Sequence, residues 1–217
     1  MLALTYAIAG IFGFVAAAEV PVALVEEVKG TVPGVEFMDY VAAGKVIELG
    51  AKDTIVLGYL SSCWREIITG GIVVVGEKQS MVSEGKIQRI MVDCDSSQLK
   101  KDKQASYSGG TMIRGTPQAP PQPQLTIYGL SPLVEGVNVG GRLIIERLDK
   151  PGERYDTLIG ASSLLRGRFY DFAKSGKALA REAIYVARLG EKQIVFKVDA
   201  RAKPGATPMI GRLVRFD

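Results

Sequence analysis

Glu182-Ala183-Ile184-Tyr185-Val186-Ala187-Arg188 and Gln193-Ile194-Val195-Phe196-Lys197-Val198-Asp199, with Gly190-Glu191 between them, read as two β-strands joined by a tight hairpin. In the second segment Ile194, Phe196 and Val198 fall on one face and Val195 and Lys197 on the other, the period of two that a strand imposes. A glycine-led two-residue connection suits the twist of a hairpin. Tyr185, early in the first strand, is expected either to brace the corner before it through its hydroxyl or to pack as plain core.

Further β-like segments lie on either side of this hairpin. They are Leu125–Tyr128, Arg142–Leu148, Arg154–Ile159 and Pro208–Phe216, so about six strands occupy residues 125–217. That density suits a small immunoglobulin-like sandwich. Residues 173–181 are expected to form one or two helical turns, because Ala178, Leu179 and Ala180 favour helix locally.

Residues 19–95 give the same signal in a different composition. Val- and Ile-rich segments at 22–28, 37–41, 45–49, 54–60, 72–75 and 87–94 are punctuated by Gly30, Gly44, Gly50, Gly70-Gly71 and Gly76. Short strands at about ten-residue spacing predict an antiparallel sandwich or barrel. Leu60–Thr69 is expected to be a short helix. Between the two β regions, residues 96–124 turn polar, with Lys100-Lys101-Asp102-Lys103, and then crowd Pro117, Pro120, Pro121 and Pro123 together. Proline cannot donate to a ladder, so this stretch reads as a linker, partly extended. The expected class is therefore all-β, with two small β domains (19–95 and 125–217) joined by a Pro-rich linker.

Composition removes much chemistry. The chain has no histidine and two cysteines. It therefore has no imidazole base, no His–Ser or His–Cys pair, and too few thiols for a four-thiolate zinc site. No cofactor or metal is expected. Ser97-Gln98-Leu99-Lys100 matches the S-x-x-K pattern of penicillin-recognising enzymes, but it lies in the linker and no S-D-N or K-T-G accompanies it. Asp39, Asp53, Asp93 and Asp95 lack the spacing of a calcium loop and read as turn and strand-end residues. A carboxylate-only hydrolase needs a facing Asp/Glu pair, and no such pair can be placed from the sequence. A non-enzymatic role is expected.

Residues 1–18 carry no charge and end in Ala16-Ala17-Ala18. Small residues at the first and third positions ahead of Glu19 fit an export signal cut after Ala18, and an uncleaved membrane anchor is the alternative. Either reading exports the chain to the periplasm or beyond. In an oxidising compartment Cys63 and Cys94 are expected to form one intramolecular disulfide, stabilising the fold by about 3–4 kcal/mol.

Leu49-Gly50-Ala51-Lys52-Asp53-Thr54-Ile55, then Gly70-Gly71-Ile72-Val73-Val74-Val75-Gly76 with Ser80 after it, give residues 28–95 a recognisable pattern. It is a glycine–aspartate turn, a strand, and a glycine-rich turn into a Val-rich strand. This stretch resembles the FecR-like periplasmic domain. The resemblance implies a β-rich domain of a bacterial envelope protein, used for sensing or protein contact.

Charge is unevenly distributed. Residues 19–95 hold 7 basic and 12 acidic side chains, and residues 96–217 hold 20 and 11. Lys100, Lys101, Lys103, Arg166 and Arg168, the last two interleaved with Phe169-Tyr170, are candidate contacts for a polyanion, an anionic surface or another envelope protein. Nucleic acid does not suit an exported chain. The plainer reading is a solvated positive face, or one that meets the acidic N-terminal region of the same chain.

Overall fold

The computed structural model describes residues 20–99, 121–136, 141–205 and 208–216. The leader reading for 1–18, the lysines Lys100, Lys101 and Lys103, and most of the linker lie outside these residues. As expected, the described chain is mostly β, with short 3-10 turns as its helical elements.

One antiparallel sheet uses β1 (Pro21–Lys29), β2 (Tyr40–Ala42), β3 (Val46–Tyr59), β4 (Trp64–Val74), β5 (Met81–Ser83) and β6 (Lys86–Met91). Its order is β2-β1-β3-β4, and β5 and β6 lie end to end along the far side of β4. The segments 45–49 and 54–60 are one long strand. The turn expected at Gly50–Asp53 is a bulge in which Asp53 Oδ2 accepts from Gly50 N–H at 3.0 Å, and the register with β4 shifts between Leu49 and Thr54. The helix expected at 60–69 is instead the start of β4. Residues 65–69 lie between β3 and β6 and pair with both. A central strand with Ile67-Ile68-Thr69 overrides the weak local preference for helix.

The second half builds two sheets. β10 (Arg154–Leu158), β9 (Arg142–Arg147), β13 (Ile184–Leu189), β14 (Lys192–Lys203) and β7 (Leu125–Gly129) form one in that order. β11 (Leu164–Leu165), β12 (Phe169–Asp171), β8 (Leu133–Glu135) and β15 (Leu213–Arg215) form the other. β7 joins β14, and β15 joins β8, in parallel; the remaining pairs are antiparallel. The Gly190-Glu191 hairpin forms as expected, with Leu189 opposite Lys192. The strand expected over 208–216 is shorter. Met209–Gly211 makes a 3-10 turn and only Leu213–Arg215 enters a sheet. The helical turns expected at 173–181 reduce to one 3-10 turn at Phe172–Ser175.

Alternation along these strands produces three apolar layers. The first is closed within the N-terminal half by Val25, Ile47, Ile55, Leu57, Tyr59 and Ile68. The second lies between the two sheets of the C-terminal half and includes Ile127, Val134, Ile145, Tyr170, Tyr185, Phe196 and Val214. The third joins the halves, with Leu24, Met38 and Leu60 from one and Leu133, Phe169, Ile210 and Leu213 from the other. The four-stranded sheet therefore serves two cores. Leu133, Phe169 and Leu213 face the N-terminal sheet, while their neighbours Val134, Tyr170 and Val214 face the sandwich interior.

Candidate functional site

Cross-strand register explains how the seam between the halves is built. On the N-terminal sheet, Tyr40 lies opposite Leu24, Leu24 opposite Gly58, Gly58 opposite Arg65, and Arg65 opposite Ile90. Directly opposed residues share a face, so these five form one row. On the facing sheet, Leu165, Phe169, Glu135 and Arg215 form a second row.

At the Tyr40 end the two rows meet through charge and aromatic contacts. Tyr40 donates its hydroxyl to Glu135 Oε2 at 2.5 Å, and Arg168 reaches Glu135 Oε1 at 2.6 Å. Arg168 also stacks over the Tyr40 and Phe169 rings at 5.0 and 4.9 Å. Burial, reinforced by the Glu135 charge, holds the Tyr40 phenol well above its ordinary titration range. Arg166 sits in a tight turn between β11 and β12, where it and Gly167 both have positive φ. From there it pairs with Glu36 and with Asp39, the latter at 3.1 Å. The two arginines singled out in the sequence thus sit at the seam, each ion-paired to a carboxylate.

In the middle of the row the halves pack directly against each other. A Cβ on Gly58 would stand 2.6 Å from Ile210 Cγ2 and 3.0 Å from Glu26 Oε1. Glu26 is buried, accepts from Ile210 N–H at 2.9 Å across the seam, and is held by Arg65 at 2.7 Å. A Cβ on Gly211 would likewise meet the Asp93 carbonyl at 2.5 Å.

At the Ile90 end the seam opens into a groove of about 220 Å³. Ile90, Met91, Val92 and Asp93 form its N-terminal side, and Tyr128, Arg201, Lys203, Pro208 and Gly211 its C-terminal side. Arg201 lies over the Tyr128 ring at 5.5 Å and pairs with Asp93 at 3.3 Å and Asp199 at 3.2 Å. Burial, and then the Asp199 charge, raises the Tyr128 phenol above its usual range. Lys203 is exposed, and among the described residues it has no ion-pair partner. The lining is a mixed surface: apolar Ile90, Met91 and Pro208, one aromatic face, and two cations against one carboxylate.

The other sequence candidates have structural partners. Cys63 and Cys94 are joined in a disulfide with Cα atoms 5.6 Å apart. The bond points to an oxidising compartment rather than the reducing cytosol. Asp95 Oδ1 accepts from the Ser97 amide at 2.9 Å and its Oδ2 from the Thr126 amide at 2.7 Å. Ser80 is buried, its amide donating to the fully buried Glu66, its carbonyl accepting from Arg89, and its hydroxyl bonded to Tyr59. Among the described residues no three Asp, Glu or Cys side chains gather as a metal site, and no helix is long and apolar enough to cross a membrane. The groove is not legible in the sequence, because its residues come from four separated segments. Its one visible signal was apolar character on both faces of 87–94. No family model matches the chain, and no curated protein or solved structure is significantly similar to it.

Proposed function

We infer that this chain is an exported, non-enzymatic binding or scaffolding protein of the bacterial cell envelope, and that it meets its partner through the groove at the Ile90 end of the seam. The groove carries this reading. Its walls come from both halves, and the Glu26–Ile210 contact and the shared core position those walls against each other. A preformed concavity with apolar lining and a few placed polar groups is the usual form of a binding site.

Two features support the immunoglobulin-like reading. The order β10-β9-β13-β14-β7, across from β11-β12-β8-β15, suits an immunoglobulin-like unit of the variable type. So does the Tyr185 hydroxyl, which accepts the Ala180 amide five residues upstream at 2.8 Å. The FecR-like reading of 28–95 rests on the residues quoted from Leu49–Ile55 and Gly70–Gly76. The expected partner is another envelope protein.

The test is cross-linking in an envelope extract, comparing the oxidised wild-type chain with Tyr128→Ala/Lys203→Glu. The reading predicts a discrete partner that cross-links to the wild type and at least about tenfold less to the variant. Equal capture by both would remove the groove from the account.

A further inference from the structure

We propose that the groove receives an extended, acidic peptide segment of a partner protein, which adds as a strand to the open edge of β6. This deepens the binding reading above and rests on it.

The backbone of β6 supports strand addition. Val92 N–H donates to the Cys63 carbonyl, on the β4 side. In an antiparallel ladder successive residues point their N–H and C=O groups to opposite sides. Ile90, Gln88 and Lys86 therefore face β4 with Val92, and Ile87, Arg89 and Met91 face outward. Among the described residues none of these three outward N–H groups, and none of the three outward carbonyls, has a hydrogen-bond partner. A row of unpaired donors and acceptors is the template that strand-adding peptides use.

Side chains at the same edge indicate what kind of peptide fits. Ile90 is 40 % exposed and Met91 58 % exposed. They project from opposite faces of the strand, so an added strand would cover both. Beyond Met91 the chain enters the groove, where the single lining carboxylate, Asp93, already faces Arg201. Lys203 stands in the lining, and Lys86 lies at the far end of β6; both are without an ion-pair partner among the described residues. A peptide that alternates β-branched and acidic residues would place apolar side chains over Ile90 or Met91 and a carboxylate against Lys203.

Panning a random heptapeptide display library on the oxidised chain tests this. The selected sequences should be enriched in Asp or Glu alternating with Val, Ile or Thr. The best of them, made synthetically, should lose at least about tenfold in affinity when alternate backbone nitrogens are methylated. That comparison leaves the protein unchanged, so misfolding cannot mimic the result. Met91→Pro removes an outward N–H that β4 does not use, and it should cause a similar loss with an unaltered melting temperature. Lys203→Glu should reverse the preference toward basic peptides. Binding that ignores N-methylation and Met91→Pro, yet disappears in Tyr128→Ala/Lys203→Glu, overturns strand addition while the groove remains a binding site. Peptides indifferent to every change overturn both readings. Self-association in sedimentation that Met91→Pro abolishes would assign the edge to a second copy of this chain, and the peptide proposal would fall.

Discussion

The two halves close their cores by different means. The C-terminal half supplies both layers of its sandwich itself, and its hydrophobic cluster draws on the five-stranded and the four-stranded sheets together. The N-terminal half has one sheet, which must cover two faces. One face closes on Val32, Val35 and its own strands. The other is covered by the neighbouring half: Leu24 and Met38 are buried against Leu133, Phe169 and Leu213. The disulfide also belongs to the N-terminal half alone. A half with a covalent staple and a borrowed cover should depend on the seam more than the half that lends it.

Phe169→Ala should have the largest effect. The ring is fully buried in the shared layer and contacts Tyr40 at a centroid distance of 6.1 Å. Its removal should cost about 3–5 kcal/mol in denaturant unfolding. Amides in β1 and β3 should lose more protection than those in β13 and β14. The reverse pattern would invert the comparison.

Replacing both cysteines, Cys63→Ser with Cys94→Ser, should cost about 3–4 kcal/mol. Lost protection should concentrate in β4 and β6, which flank the bond. An equal loss in the five-stranded sheet would mean that the staple supports the whole molecule. Tyr185→Phe is the opposite case. It removes the acceptor for the Ala180 amide and a 2.6 Å donation to Glu153. About 1–2 kcal/mol should be lost, confined to the sandwich.

The smallest effect concerns acid. The Arg147 guanidinium, bonded to Asp149, pulls that carboxyl from 3.8 down to about 2. A depressed folded-state pKa stabilises above the unfolded value. Its contribution is therefore present above about pH 4 and is lost as pH falls toward 2. Solvent screening keeps it under about 1 kcal/mol. Asp149→Asn should flatten that part of the stability–pH curve, measured by urea midpoints. An unchanged curve would detach the sandwich's acid response from this pair.

The long strands were legible because one or both faces alternate over enough residues: Ile194, Phe196 and Val198, or Ile55, Leu57 and Tyr59. The four-stranded sheet was not. Its strands are two or three residues long, and both faces are covered. Leu133-Val134, Phe169-Tyr170 and Leu213-Val214 are therefore apolar doublets without a period. Missing that sheet meant missing the seam, and with it the groove at its end. Arg166 and Arg168 stood out as charge among aromatic residues, but their carboxylate partners lie 33 to 130 residues away in the chain. Cys63–Cys94 was legible because two cysteines allow one intramolecular pairing.

The halves share a core and so hold the groove preformed between them. Native-state hydrogen exchange on two amides tests it most directly. Ile210 donates to Glu26 and Thr126 donates to Asp95, each to a carboxylate of the N-terminal half. Both amides should be protected to within about tenfold of Leu57 and Val198, in the cores of the two halves. If they exchange about a thousandfold faster while both cores stay protected, the halves open independently and the groove is not a fixed site.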